Sequence, residues 1–249
     1  MLPAVFYGGG SESEMNKRLD LLYEMIPSDG LGVIDVGTDH GQIPIRLANS
    51  GYTGYIFASD VAEGPLNTAR SAAHAAGVEN KIHFLHCDGL DLCPHEDISD
   101  ILIAGMGGDT ICGILDRAEW IFSGQYRLIL QPMTRPEVLR YWLIHNEFSI
   151  NLEAVAREEQ HVYQLFRAEM GPRKRMSDAE YLTGSSVVRR TGDDVHFVID
   201  QQLRMIEKKL SGHEEKRATA SSEYAFYLNI KRELEEMRSF AYPMEQNNG

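Results

Sequence analysis

The stretch Leu31-Gly32-Val33-Ile34-Asp35-Val36-Gly37-Thr38-Asp39-His40-Gly41 decides the fold, because an apolar run leads directly into a loop of carboxylates and glycines. A short apolar run of this kind is typical of a strand buried in a parallel sheet. The loop that follows such a strand lies at its carboxyl end, where open α/β sheets bind their ligands. Asp35, Gly37 and Asp39 are therefore candidates for a cofactor site.

The residues of this loop favour S-adenosylmethionine over a dinucleotide. A dinucleotide loop has the pattern G-x-G-x-x-G, whose small residues allow a pyrophosphate to approach helix N–H groups. Here Asp39 stands at the second glycine position, and its carboxylate would repel a pyrophosphate. S-adenosylmethionine carries sulfonium and ammonium cations and ribose hydroxyls, which suit carboxylates. An ordinary strand end and a degenerate nicotinamide loop are the alternatives.

Three further strand ends carry residues of the same kind. The predicted strands are residues 55–59, 81–86 and 100–104. Asp60 follows the first of them and is placed to accept hydrogen bonds from ribose hydroxyls. Asp88 follows the second and is placed to accept from the adenine amino group. The third runs into Gly105-Met106-Gly107-Gly108, where the glycines allow a ligand to approach the backbone closely. Four such turns at one edge of a sheet predict a cofactor crevice.

With these motifs the sequence resembles the bacterial tRNA (adenine-22-N1)-methyltransferases, a family of class I S-adenosylmethionine-dependent enzymes. The resemblance covers about residues 17 to 170 and rests on the segments 35–40 with Pro44, 60–65, 88–90, 103–108 and 128–132. It implies an α/β fold with a Rossmann-like sheet, mostly parallel with one antiparallel strand, and methyl transfer from S-adenosylmethionine to N1 of adenine 22 in tRNA. The sequence departs from the family pattern at Gly41-Gln42, Met133 and Gly184-Ser185.

The motifs and the resemblance together give an expected site. The residues expected to bind the cofactor are Asp35, Gly37, Asp60, Val61, Asp88, Gly89, Gly105 and Met106. The residues expected to bind the substrate are Gly107, Gly108, Gln131, Arg173, Lys174, Arg175, Arg189 and Arg190.

Asp39 and His40 are the expected catalytic residues. Methylation at N1 makes the base cationic, so the Asp39 carboxylate would stabilise the developing charge. His40 would orient Asp39 or touch the base. The alternatives are a contact of Asp39 with the methionine ammonium group and a histidine at a helix start with no catalytic role.

Composition favours a soluble enzyme. The chain has 249 residues and a formal net charge of −13, but residues 1–170 carry 11 basic and 24 acidic side chains whereas residues 171–249 carry 13 of each. Three cysteines cannot form a closed disulfide framework, which favours a reducing compartment. No run approaches the length of a membrane span. We expect a cytoplasmic monomer, with residues 1–14 as a flexible leader.

A metal site is not expected. His83, His86, Cys87, Cys93 and His95 cluster in sequence, but their spacings do not repeat as paired C-x-x-C ligand sets.

Residues 15–170 are expected to form the cofactor-binding domain, which ends in a hairpin. The predicted strands 148–155 and 162–166 are joined by residues 157–160, a link too short to cross over between parallel strands. After Gly171-Pro172 the pattern becomes helical. Residues at alternating spacings of three and four, all of them apolar or aromatic except Gln202, predict an antiparallel coiled-coil hairpin interrupted at Ser211-Gly212. They are Val195, Ile199, Gln202, Ile206, Tyr227, Ile230, Leu234 and Met237. Two helices packed on the first domain are the alternative.

Residues 171–249 are also the expected tRNA-binding part. The acidic excess lies entirely before residue 171, so a polyanion needs local basic patches, for which Arg173-Lys174-Arg175 and Arg189-Arg190 are the candidates. An ordinary solvated hinge is the alternative. Other functions left open are a sensor that binds S-adenosylmethionine without transferring the methyl group, a methyltransferase acting on another RNA, a protein or a small molecule, and a nicotinamide-dependent enzyme.

Overall fold

The computed structural model describes residues 17–159, 161–184 and 192–241, apart from the side chains of residues 192–195, 240 and 241. The expected leader at residues 1–14 and the candidate cations Arg189 and Arg190 lie outside the described residues. The chain divides into two compact units, one up to Lys174 and a second from Arg175. The change of sequence pattern predicts this boundary slightly earlier, after Met170.

The first unit contains one sheet and five described α-helices. The strands are β1 (Gly32–Val36), β2 (Tyr55–Asp60), β3 (His83–His86), β4 (Asp100–Gly107), β5 (Arg127–Thr134), β6 (Phe148–Glu158) and β7 (His161–Met170). The helices are α1 (Lys17–Met25), α2 (Gln42–Ser50), α3 (Glu63–Ala75), α4 (Gly108–Arg117) and α5 (Pro136–His145).

The sheet has the predicted mostly parallel arrangement. Its strand order is β3-β2-β1-β4-β5-β7-β6. Strands β1 to β5 pair in parallel, whereas β7 runs antiparallel to both β5 and β6. The predicted sheet, with one antiparallel strand, is therefore confirmed.

Both faces of the sheet are covered, because successive side chains of a strand point to opposite faces. Ile101 and Ile103 of β4 pack in one core cluster, with apolar side chains of α4 and α5. Leu102, between them, packs in the other cluster, with side chains of α1, α2 and α3. A strand buried on both faces must be a continuous apolar run, which is why residues 101–104 of β4 and 128–130 of β5 lack polar alternation.

The hairpin of β6 and β7 is confirmed, with longer strands than predicted. Pairing extends from Phe148 with Met170 to Glu158 with His161. A buried ion pair connects the hairpin to α5: Arg140 Nε donates to Glu153 Oε1 at 2.9 Å, and Arg140 Nη2 donates to Gln164 Oε1 at 2.6 Å. The Arg140 and Glu153 side chains are 1% and 3% exposed. Such a pair is costly to break because either partner alone would be a buried, uncompensated charge.

The second unit contains α6 (Asp178–Thr183), α7 (Gly192–Glu215) and α8 (Ser222–Ala241). Cross-helix contacts show that α7 and α8 are antiparallel, because Asp200 pairs with Arg238 near one end and His213 with Glu223 near the other. The short helix α6 packs against both. Most of the predicted seam is buried, namely Ile199, Gln202, Ile206, Ile230, Leu234 and Met237. Coiled-coil packing itself stays a prediction.

The predicted interruption at Ser211-Gly212 is wrong, since α7 continues to Glu215. Serine and glycine weaken a helix by only about 1 kcal/mol at most, and Leu210 beside them is buried in the helix contact. Packing therefore overrides the local preference. No helix within the described ranges is long and apolar enough to cross a membrane.

Candidate active site

The carboxyl ends of β1, β2, β3 and β4 form a crevice with two cavities. One, of about 350 Å³, is lined by residues that include Arg18, Asp35, Thr38 and Asp39. The other, of about 310 Å³, is lined by residues that include Val61, Asp88, Gly89 and Ile114. Gly37, Asp60 and Met106 line both cavities, and Gly105 lines the first. Each of the eight residues expected to bind the cofactor lines at least one of the two cavities. The structure thus brings all eight to this crevice.

Asp35 is the buried acid of the first loop. Thr38 Oγ1 donates to its Oδ2 at 2.7 Å, and this hydrogen bond favours the ionised carboxylate. Burial acts more strongly in the opposite direction and, with a smaller repulsion from Asp60, raises the pKa of Asp35 to about 6. The carboxyl group is therefore ready to exchange a proton near neutral pH when a cation approaches.

Gly37 lets the Met106 side chain lie directly on the first loop. The glycine has a φ of 71°, a left-handed conformation that L side chains rarely adopt. A Cβ at this position would overlap the terminal methyl group of Met106. Met106 therefore lies where the two cavities meet.

Asp60 and Asp88 present carboxylates at the second cavity. Asp60 Oδ1 accepts from the backbone N–H of Ala62 at 2.9 Å, which fixes the direction of the carboxylate and leaves its other oxygen available. Asp88 Oδ1 accepts from Arg117 Nη2 at 3.0 Å. Both members of this ion pair are well exposed, so the pair orients Asp88 more than it stabilises the fold.

Asp39 and His40 lie side by side at the first cavity. His40 Nε2 is 3.4 Å from Asp39 Oδ2, and the His40 and Asp39 side chains are 60% and 68% exposed. Asp39 has a φ of 50°, a positive value that aspartate adopts more often than most residues other than glycine. Water screens a carboxylate this exposed, so a strong effect on a transition state requires a substrate that covers it.

The expected direct role of Gln131 in substrate binding disagrees with its burial. Its side chain is fully buried, Oε1 accepts from the backbone N–H of Gly105 at 3.2 Å and from Arg18 Nη1 at 3.0 Å, and Nε2 donates to Pro132 O at 2.9 Å. An amide that is enclosed in this way has no surface to offer a base. Gln131 instead holds the backbone of the Gly105 turn.

The glycines that follow Met106 also have structural tasks. Gly108 begins α4 and is buried, and a Cβ there would overlap the carbonyl oxygen of Arg135. Close packing against the loop after β5 therefore requires glycine here, and the expected contact of Gly108 with substrate stays a prediction. Gly107 is more open, since a Cβ added there would have Thr134 Oγ1 as its nearest neighbour, at 3.2 Å. Of these two glycines, Gly107 fits an approach of substrate better.

The chain matches the family described as "Methyltransferase domain" over residues 15–166. This match covers more than half of the chain. The protein belongs to the methyltransferase domain family.

Relatives and solved structures are similar to this methyltransferase over most of its length. The tRNA (adenine(22)-N(1))-methyltransferase of Bacillus subtilis is 29% identical over 178 residues, which are 72% of this chain and 74% of that protein. A Streptococcus pneumoniae protein assigned as a tRNA (m1A22) methyltransferase, in complex with S-adenosyl-L-methionine, has a TM-score of 0.74 at 28% identity, covering 90% of this chain and 99% of the other. A Streptococcus agalactiae protein of the NADB-Rossmann superfamily has a TM-score of 0.77 at 26% identity, covering 89% and 96%.

Arg18 is a residue of the methyltransferase site that the sequence patterns missed. It lies near the start of α1, and its guanidinium carbon is 5.4 Å from the centroid of the Tyr163 ring. No local motif surrounds it, since a basic residue in the first turn of an amphipathic helix is ordinarily a surface residue. Only the packing of α1 against β6 and β7 brings Arg18 to the crevice.

The candidate RNA-binding cations of the methyltransferase fall in different parts of the chain. Arg173 belongs to the first unit, where its Nη2 donates to His145 O at 3.0 Å and lies 3.7 Å from Glu147 Oε1. Lys174 ends the first unit and Arg175 begins the second. All three are exposed. In the parts of the chain that the structure describes, no group of three or more His, Cys, Asp or Glu side chains could hold a metal ion.

Proposed function

We propose that the protein transfers a methyl group from S-adenosylmethionine to N1 of an adenine in tRNA, adenine 22 as in its Bacillus subtilis relative. The observation that carries the proposal is the pair of cavities joined at Gly37, Asp60 and Met106, with carboxylates on both sides. The Streptococcus pneumoniae structure with bound S-adenosyl-L-methionine, similar over nearly the whole chain, supports the same cofactor.

The residues of the crevice fit this cofactor chemically. S-adenosylmethionine supplies a methyl group on a cationic sulfur, and its adenosine and methionine parts differ in polarity. Asp88 and the apolar side chain of Ile114 suit the adenine, and Asp60, at the junction of the cavities, suits the ribose hydroxyls. Asp35 and Asp39 suit the cationic groups of the methionine part. The left-handed Gly37 allows the Met106 side chain to lie against the first loop, at the lining that the two cavities share.

Methylation of N1 does not require a strong base, because neutral adenine already has a lone pair on N1. Orientation of the base toward the methyl donor therefore supplies most of the acceleration. Asp39 stabilises the positive charge that develops on the base, and His40 orients Asp39. Both side chains are well exposed, so tRNA itself must cover them. N1 is hidden in base pairs or tertiary contacts, so the target base must be exposed or flipped out.

tRNA binding requires cations outside the acidic cofactor unit. Residues 1–170 carry 13 more acidic than basic side chains, and residues 171–249 are balanced. We assign the phosphate contacts to Arg173, Lys174, Arg175, Arg189 and Arg190. The three of these whose surroundings are described are exposed, as phosphate-binding side chains must be.

The decisive experiment incubates purified protein and radiolabelled S-adenosylmethionine with unmodified tRNA, followed by nucleoside analysis. Label in 1-methyladenosine is the expected result. In a parallel reaction with cell lysate, label in a ribonuclease-resistant product would move the proposal to a protein or small-molecule acceptor. Cofactor binding with no labelled product from any RNA would favour a sensor.

Asp39→Asn distinguishes a catalytic role of Asp39 from a contact with the ammonium group of the cofactor. The substitution keeps the size of the side chain but removes its charge. A catalytic carboxylate predicts a lower single-turnover rate with nearly unchanged cofactor affinity. Loss of cofactor affinity alone would instead assign Asp39 to the ammonium group.

A further inference from the structure

A groove along α2 adjoins the first cavity of the crevice. Its volume is about 750 Å³, within the range of ordinary ligand pockets. The residues that line this α2 groove are His40, Gln42, Ile45, Arg46, Asn49 and, from α3, Ala72. His40 and Gln42 also line the first cavity, together with Asp39. The α2 groove therefore begins beside the proposed catalytic residues.

One face of α2 supplies most of the α2 groove. Its four lining residues on this helix are three or four positions apart, so they lie on the same side of the helix. Ile45 and Ala72 give the groove an apolar lining. Gln42 and Asn49 are about 10 Å apart along the helix axis. Both side chains are exposed, and within the described part of the chain neither forms a hydrogen bond. The groove thus offers unused amide donors and acceptors beside an apolar surface.

The cation of the α2 groove is already compensated. Arg46 is paired with Asp20 of α1, and its guanidinium carbon lies 4.1 Å from the centroid of the Tyr23 ring. Asp20 would also repel a phosphate that approached Arg46. The groove is therefore suited to hydrogen bonds and apolar contact, which are the interactions that an unstacked base offers.

The proposed reaction leaves such a base next to the crevice. The target adenine must leave its stack to reach the methyl donor. The base next to it then loses a stacking partner and needs a new surface close to the target. Since His40 and Gln42 line both the first cavity and the α2 groove, the groove gives the adjoining nucleotide a place to bind. We infer that the α2 groove binds the nucleotide next to the target adenine, with Gln42 and Asn49 forming hydrogen bonds to its base. This inference rests on the proposed function.

The contact makes methylation depend on the sequence beside the target. An amide side chain has one acceptor and two donors, so it favours a base edge with the complementary pattern. Gln42 belongs to one of the segments at which this chain departs from the pattern of the tRNA (adenine-22-N1)-methyltransferases. Recognition of the adjoining nucleotide should therefore differ from that family pattern.

The test compares two proteins on matched tRNA transcripts. One protein is the wild type, and the other carries both Gln42→Ala and Asn49→Ala. One transcript is intact, and two others have an abasic nucleotide directly 5′ or directly 3′ of adenine 22, the position of the Bacillus subtilis relative. The single-turnover rate is measured at limiting protein concentration with labelled S-adenosylmethionine. Methylation of adenine 22 is the label that is lost when this adenine is replaced by guanine.

The double variant should methylate intact tRNA about 10-fold more slowly, the size for two hydrogen bonds between uncharged groups. The abasic nucleotide on one side should slow the wild type about 10-fold and the double variant less than about threefold, because the variant has already lost the contact. Any effect of the abasic nucleotide on tRNA folding applies to both proteins and cancels in the comparison. The salt dependence of tRNA binding should be equal in the two proteins, since no phosphate contact is removed.

Asn67→Ala is the matched control. Asn67 is exposed on the neighbouring helix α3 and is not among the residues that line the α2 groove. Its replacement should leave the rates with all three transcripts unchanged. The double variant should also bind S-adenosylhomocysteine as tightly as the wild type in a calorimetric titration, because both replaced side chains are exposed and alanine favours a helix.

The outcomes separate this inference from the proposed function. If the wild type does not methylate adenine 22, the proposed function fails first and takes the inference with it. If the wild type methylates it and each abasic nucleotide slows both proteins equally, the inference is overturned and the proposed function stands. If the double variant loses affinity for S-adenosylhomocysteine, the amides serve the cofactor site and the inference is also overturned.

Discussion

Cofactor affinity should depend on pH through Asp35. Burial raises the pKa of this carboxyl group to about 6 in the cofactor-free protein. The raised pKa means that the folded chain holds this proton more tightly than the unfolded chain, so ionisation of Asp35 destabilises the free protein as pH rises through about 6. A cationic ligand favours the ionised carboxylate, so binding releases the proton when pH is below that value.

The size of the effect follows from the pKa. We take the case in which only protein with an ionised Asp35 binds the cofactor. The apparent dissociation constant is then the intrinsic constant divided by the ionised fraction of Asp35, so it increases as that fraction decreases. With a pKa of about 6, the ionised fraction falls about tenfold between pH 7 and pH 5. The affinity should therefore fall about tenfold over the same range, and about half a proton should be released per cofactor at pH 6.

Calorimetric titration with S-adenosylmethionine, in pairs of buffers that differ in ionisation enthalpy, measures both quantities. Asp35→Asn should bind more weakly at pH 7 and should lose the pH dependence between pH 5 and 7, because the amide does not titrate. His40 lines the same cavity, so His40→Gln is the control and should retain the tenfold change. Equal wild-type affinity at both pH values would refute the reasoning, as would a tenfold change that persists in Asp35→Asn.

Three other expectations concern single features. Asp60→Ala should weaken cofactor binding by about 1.5–3 kcal/mol, and unchanged affinity in a calorimetric titration would remove Asp60 from the site. Arg140→Met should lower the free energy of unfolding by about 3–5 kcal/mol in urea denaturation, because Glu153 stays buried without its partner; a loss below about 1 kcal/mol would contradict this. Alanine at Arg173, Lys174, Arg175, Arg189 and Arg190 should weaken tRNA binding and flatten its salt dependence, since fewer counterions are released, and an unchanged salt slope would place the RNA path elsewhere.

The strand ends of the first unit were predictable because the signals are local. An apolar run that buries both faces, followed by a glycine and a carboxylate, defines a strand and its loop within about ten residues. In a parallel sheet all such loops lie at one edge, so their convergence needs no further information. Asp35, Asp60, Asp88 and Met106 therefore come together as expected.

The same reasoning fails where tertiary packing decides the role of a side chain. Gln131 follows a strand end like the other candidates, but the fully buried side chain is enclosed by Gly105, Arg18 and Pro132. Ser211-Gly212 is a local breaker, yet helix contacts carry α7 through it. Neither outcome is encoded within a few residues.

Arg18 shows how far apart in sequence the parts of one site lie. Strand β6 is the last strand in the sheet order, and β1, which carries Asp35, lies four strands away from it. Helix α1 packs against β6, β7 and α2, so it spans this separation and delivers its guanidinium to the cavity of the first loop. Glu158 and Tyr163 hold Arg18 from the hairpin side. The antiparallel end of the sheet thus contributes to the cofactor site through a helix that precedes every described strand in the chain.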